Sequence, residues 1–457
     1  MKRDSIDFTQ EKVSVLFRKL LIPTLSGALA IAAMTTIDGI FVGHGVGATG
    51  VAAVNIVIPL YQLMMGIGLM IGTGCSVVTA IHLSRAKQKV AGMNITQALV
   101  SSSGLASVII IIALLFPNRL ISFLGSSAGL LPQAKSYLLW LLPAFLFAMF
   151  SLIGLFIIRL DGSPRFAMWC NLIPALLNIL LDWLFIFPLQ MGVKGAAIAS
   201  MLSITVGGLM ALYYMLFLCK SLKLVFPKFS LKSLRLSMRN VGYQCKISAS
   251  TLFGELTMAV FIYIGNLCFM HYLGDDGVGA FGIACYYAPF FFIIGNSIAQ
   301  SAQPIISYNH GIKAFSQVKE ARNLLLKTAF AFGLFISCLF VFLPESLVGL
   351  FVDTQSKSGR IATEGFPYLG TGVIFFIVNV AIIGFYQSME RTGRAGLLVL
   401  LRGFLLLVPS FFLLSKLFGV NGIWLAMPVA ELLTTILVFI MWLHTRYRKM
   451  KNRPDTI

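Results

Sequence analysis

Apolar residues run along this chain in long stretches, broken by short segments where charged residues, glycine and proline collect. Cutting at those breaks predicts twelve helices, near residues 15–42, 51–82, 93–116, 134–158, 165–188, 195–219, 243–272, 280–307, 321–343, 367–388, 395–417 and 422–444. Each is long enough to cross the hydrocarbon part of a bilayer, which takes about 20 helical residues. One stretch departs from the pattern. "ALLNILLDWLFIF" (Ala175–Phe187) is almost wholly apolar, yet carries Asn178 and Asp182 one helical turn apart on the same face. A carboxylate in such surroundings is costly unless something pairs with it or it titrates.

Composition narrows the class. Of 457 residues, 58% are hydrophobic and only 11% charged, whereas soluble domains carry roughly a quarter charged residues. The chain therefore reads as an all-α polytopic membrane protein. Its N-terminus, "MKRDSIDFTQEKVSVLFRKL", has no short apolar core followed by a small-residue cleavage site, so the first span is expected to double as the insertion signal. Seven cysteines are scattered through apolar segments with no C-x-x-C pair, which signals neither disulfides nor zinc.

A net charge of +19 would suit a nucleic-acid partner if it were clustered on a soluble face. Placed on the twelve spans it sorts by side instead. All but six of the 35 Lys and Arg residues fall on the side of the N-terminus, the six being Arg119, Lys135, Lys194, Lys357, Arg360 and Lys416. That bias predicts both termini in the cytoplasm and no nucleic-acid partner.

The longest basic connection, Cys219 to Lys246, divides the chain into an N-terminal lobe (1–219), a cytoplasmic basic linker (220–242) and a C-terminal lobe (243–457). The halves repeat each other. "VGATGVAAVNI" (Val46–Ile56) aligns on "LGDDGVGAFGI" (Leu273–Ile283), and "GVKGAAIA" (Gly192–Ala199) on "GVNGIWLA" (Gly419–Ala426), both at an offset of 227 residues. Six spans per half make the repeats parallel, a common build of secondary transporters with a central site.

Four acids lie inside spans: Asp38, Asp182, Glu255 and Glu431. Such groups mark function by default. Counting along the alternating spans brings Asp38, Asp182 and Ser200 to one depth beneath the outer surface, with Asn178 one turn deeper. Two carboxylates brought close need a proton or cation between them, and hard cations prefer carboxylate, amide and hydroxyl oxygens. The alternative is that each acid is tied separately to backbone or to a basic residue. Glu255 and Glu431 fall near the midplane, as a second coupling site, a counter-charge for a cationic substrate, or acids bonded locally. In span eight Asn296, Gln300, Gln303 and Ser307 share a helical face, which must look onto a cavity or another helix. Gly68 and Gly72 in span two suit helix–helix contact.

"DGIFVGHGVGATGVAAVNI", "NILLDWLFIFPLQMGVKGAAIAS", "GELTMAVFIYIGN" and "AQSAQPIISYNHG" together resemble the multidrug and toxic compound extrusion (MATE) transporters, best their bacterial MepA-like branch, over essentially the whole chain. The resemblance implies two pseudo-symmetric six-helix bundles around a central cavity. It also implies a bacterial inner-membrane monomer that exports amphipathic, often cationic drugs against inward H⁺ or Na⁺, with no cofactor. The family's N-lobe cation site falls on Asp38, Asn178 and Asp182, and its hydroxyl position on Ser200, where relatives often carry Thr. Glu255 matches the span-seven acid of the branch, and the C-terminal half lacks a counterpart of Asp38. A lipid-linked-precursor flippase of the same superfamily would be expected to show more spans and a strongly cationic cavity, whereas the deep charges read from this sequence are acidic. A membrane-embedded transferase would be expected to carry an acidic or metal motif such as D-D-x-x-D or H-E-x-x-H, and the chain contains neither.

Overall fold

The structure, a computed structural model, describes residues 11–124, 126, 129–225 and 230–451. The charged stretch through Gln10, four linker residues (226–229) and the last residues, including Arg453, lie outside the described residues. Among the described residues every regular element is helical: α1 Val13–Gly45, α2 Ala48–Ser84, α3 Gln88–Leu115, α4 Pro117–Phe123, α5 Leu131–Leu160, α6 Pro164–Ile186, α7 Gly192–Tyr213, α8 Leu231–Gly311, α9 Phe315–Phe342, α10 Pro344–Gly349, α11 Lys357–Ser388, α12 Thr392–Leu400 and α13 Leu407–Lys451. Two helices are continued by a wide turn with i→i+5 bonding, at Tyr214–Leu218 and Leu401–Leu405.

Among the described residues eleven helical stretches are long and apolar enough to cross a membrane, and one of them, Thr392–Met441, is broken at Gly419, which yields the twelfth. Likewise α8 holds two spans parted at Gly274. The chain is a multi-pass membrane protein. Both breaks sit at positive φ, 63° at Gly274 and 58° at Gly419. Their partners in the sequence repeat, Gly47 and Gly192, also have positive φ, 88° and 60°. The aligned motifs therefore build the same sharp turn twice in each half, and only glycine adopts that backbone without a steric penalty.

The chain packs as two compact units. The first comprises residues 1–252, 300–322 and 387–390; the second comprises 253–299, 323–386 and 391–457. In the first unit α5 lies against α2, α3, α6 and α7, while α6 also packs on α1 and α7. Gly68 and Gly72 of α2 meet Met149, Leu152 and Ile153 of α5, the helix contact that their spacing suggests. Gly208 of α7 sits on the backbone carbonyl of Phe147, and Gly27 of α1 faces Asn171 of α6. Small residues at these crossings let the backbones approach closely, which sets the spacing of the helices that carry the polar cluster.

The second unit has an aromatic core. Phe269 stacks on Phe281 at 5.0 Å and meets Trp424 edge-on at 4.8 Å, and Phe340 stacks on Phe366 at 5.0 Å. Gly365 gives way directly to the Trp424 ring. No disulfide joins the seven cysteines.

Candidate functional site: a cation pocket on α1, α6 and α7

The first unit brings Asp38, Asn178, Asp182 and Ser200 together. Asp38 lies two turns before the end of α1, and Asn178 and Asp182 are fully buried on the inner face of α6. The carboxyl groups of Asp38 and Asp182 come within hydrogen-bonding contact of each other, and the Asn178 side chain approaches Asp182. Asn178 Nδ2 reaches Ser200 Oγ on α7 at 3.5 Å. The i, i+4 spacing on α6 does the local work: one turn separates the amide from the carboxylate, so both face the same side.

The pocket is short of donors. Asp38 Oδ1, Asn178 Oδ1 and both carboxylate oxygens of Asp182 are buried and receive no hydrogen bond. Two carboxylates in contact repel each other, and four buried acceptors without donors are costly. A proton would bridge the acids; Na⁺ would take the same oxygens, which are the hard donors it prefers. The residues present thus fit a small monovalent cation.

The pocket has further members that the sequence did not disclose. The Tyr137 hydroxyl on α5 contacts Ser200, within the electrostatic reach of Asp38, Asp182 and Tyr61. Both tyrosines sit in apolar runs where a core aromatic and a functional one look alike; only the crossing of α5 with α7 singles Tyr137 out.

The other singled-out residues lie elsewhere. Gln300 accepts from Arg159 Nη1 at 2.8 Å, and Gln303 Oε1 accepts from Ser76 Oγ at 3.0 Å. Gln303 Nε2 donates to Ser307 Oγ at 3.3 Å, which donates to the Ser388 carbonyl at 2.9 Å. That part of the polar face looks onto other helices of the first unit. Asn296 and Glu255, both half-buried, have no hydrogen bond or ion pair among the described residues.

Glu431 is held quite differently. Arg402 donates to Glu431 Oε1 through Nε at 2.9 Å and also through Nη2, while Asn379 Nδ2 donates to Oε2 at 2.7 Å. Charge counting along the spans assigned Arg402 to the cytoplasmic side. It is in fact only 2% exposed inside the second unit, because the wide turn Leu401–Leu405 carries it inward. The run "LLVLLRGFLLL" around it was the available signal.

Comparison with known proteins decides the family. The MatE family model matches residues 23–184 and 251–413, once in each half. This chain belongs to the MATE family of transporters. The multidrug export protein MepA of Staphylococcus aureus (strain MRSA252) is 22% identical over 424 residues, covering 92% of this chain and 91% of the relative. MepA of Staphylococcus saprophyticus is 23% identical over 444 residues, covering 95% of each chain. Among solved structures, an outward-facing MATE transporter of the MOP superfamily superposes with a TM-score of 0.88 at 20% identity, covering 98% of both chains. The MATE multidrug transporter DinF-BH, solved as a complex with a bound compound, gives 0.86 at 27% identity, again over 98% of both chains. The MATE family consists of transporters, not enzymes.

Proposed function

We propose that this MATE protein is a multidrug efflux antiporter of a bacterial inner membrane, with both termini in the cytoplasm. It exports amphipathic, often cationic compounds as a monomer in exchange for inward H⁺ or Na⁺ held at Asp38, Asn178, Asp182 and Ser200. The observation that carries this reading is the set of four buried oxygens without donors, contributed by two facing acids and an amide. Relatives named multidrug export proteins, and a structural neighbour that is a multidrug transporter solved with a compound bound, support the drug half of the exchange. The excess of Lys and Arg on one side supports the orientation.

Coupling works through a difference between two states. A cation entering from outside neutralises the Asp38–Asp182 pair and favours the packing of α1 and α6 in which drug is released. Drug arriving from inside favours the other packing, from which the cation leaves. Each ligand must prefer a different state, since equal affinity for both shifts nothing. Proteoliposomes loaded with drug and energised separately by a pH gradient and by a Na⁺ gradient test the scheme and choose the ion. Transport that responds to neither gradient would overturn it.

A further inference from the structure

Asp182 and Glu431 are equally buried acids with opposite surroundings: the first is 0% exposed and its oxygens receive no hydrogen bond, the second is 3% exposed and accepts three. Arg402 binds Glu431 Oε1 with two nitrogens, and Asn379 binds Oε2 while Thr435 Oγ1 steadies Asn379 at 3.1 Å. The guanidinium lies over Phe376, 4.2 Å from the ring centroid, so an aromatic ring covers it as well. Its backbone is positioned with equal care. The wide turn Leu401–Leu405 rotates Arg402 off the helix surface, and the absence of a side chain at Gly403 lets that turn close onto Thr257 of α8.

We propose that Arg402 is the resident cation of the second unit. It takes the place at Glu431 that a mobile ion would fill, and so withdraws Glu431 from coupling. A coupling ion has to enter from one face of the membrane and leave at the other; a guanidinium on a peptide chain does neither. Oε1 accepts twice from Arg402 and Oε2 accepts from Asn379, so three donors already hold the carboxylate that a mobile ion would need. The pair is also a poor candidate for stability alone, because buried ion pairs are often replaced by apolar residues without loss. Arg402 is therefore a specificity-determining residue: it keeps Glu431 from adding an ion to the cycle. This inference rests on the antiport reading above.

Two experiments test it. Purified transporter in sodium-free buffer is treated with dicyclohexylcarbodiimide, which attacks protonated carboxyls in apolar surroundings, and peptide mass spectrometry locates the adducts. Glu431 stays unmodified in the native protein and in Arg402→Lys, and its labelling rises at least about tenfold in Arg402→Met, where the acid has lost its charge partner. Equal labelling of Glu431 in native protein and Arg402→Met overturns the proposal. The double variant Arg402→Met with Glu431→Gln removes both charges together and decides the matter if the single variant does not fold. Its drug gradient at zero net flux equals that of the native protein; a gradient reduced to its square root shows that Glu431 carried an ion, and overturns the proposal. The labelling does not depend on Asp38. If Asp38→Asn leaves efflux intact, the coupling reading fails while the Glu431 labelling stands.

Discussion

Asp38→Asn removes one charge from the pocket and adds an amide donor beside Asp182, whose oxygens otherwise receive none. The variant supplies the missing donor itself, so folding is preserved while the need for a cation disappears. At an effective dielectric constant of about 20, a charge about 4 Å from an ion contributes roughly 4 kcal/mol, which corresponds to about a thousandfold in cation affinity. With one ion exchanged for each drug molecule, the consequence for transport has a definite size. For an uncharged drug, an inward monovalent cation supplies about 2.3 kcal/mol per 100 mV, enough for a steady gradient of roughly 50-fold. Native protein in liposomes clamped near such a voltage reaches a gradient of that order, and Asp38→Asn leaves inner and outer drug concentrations equal. A monodisperse Asp38→Asn protein that still builds the native gradient would falsify the placement of coupling at this pocket.

Three more substitutions probe other contacts. Ser200→Ala removes the hydroxyl that meets Asn178 at 3.5 Å; the cation concentration for half-maximal transport is expected to rise about tenfold, with Ser200→Thr restoring it. An unchanged half-maximal concentration would remove Ser200 from the site. Gly208→Ala drives a methyl group into the Phe147 carbonyl, which should cost about 1–3 kcal/mol and lower the melting temperature in detergent; native-like melting would mean that α5 and α7 are not so close. Tyr214→Phe takes the hydroxyl bond from Asp161 (2.8 Å) and from Ser163 (2.7 Å). A loss of about 1–3 kcal/mol is expected on thermal unfolding, and no loss would show that other donors already satisfy Asp161.

Much of the first unit's pocket was legible because its determinants are one-dimensional. Helical periodicity puts Asn178 and Asp182 on one face, and the alternation of spans with the basic bias equates the depth of Asp182 with those of Asp38 and Ser200. The equivalence of Gly47 with Gly274, and of Gly192 with Gly419, was readable from the repeat, while their positive φ emerged only from the structure. Tyr137 was not readable, because an apolar run gives no sign of which aromatic will meet a hydroxyl from a helix far along the chain.

Arg402 marks the boundary most clearly. By position it lies a few residues from a basic loop, and counting treats it as one more cytoplasmic charge. One wide turn in the helix changes its direction, and Phe376, Asn379 and Glu431, from helices before and after it, are ready to receive it. The same holds for Gln300 and Gln303, whose polarity the sequence announces but whose partners, Arg159 and Ser76, are chosen only by how α2 and α5 pack beside α8. Sequence alone determined the membrane class, the spans, the repeat and which acids lie deep, because hydropathy, charge bias and helical spacing are properties of the chain. Tertiary structure alone decided which of those acids is paired and which lacks a donor, because a buried charge is settled by neighbours distant in sequence.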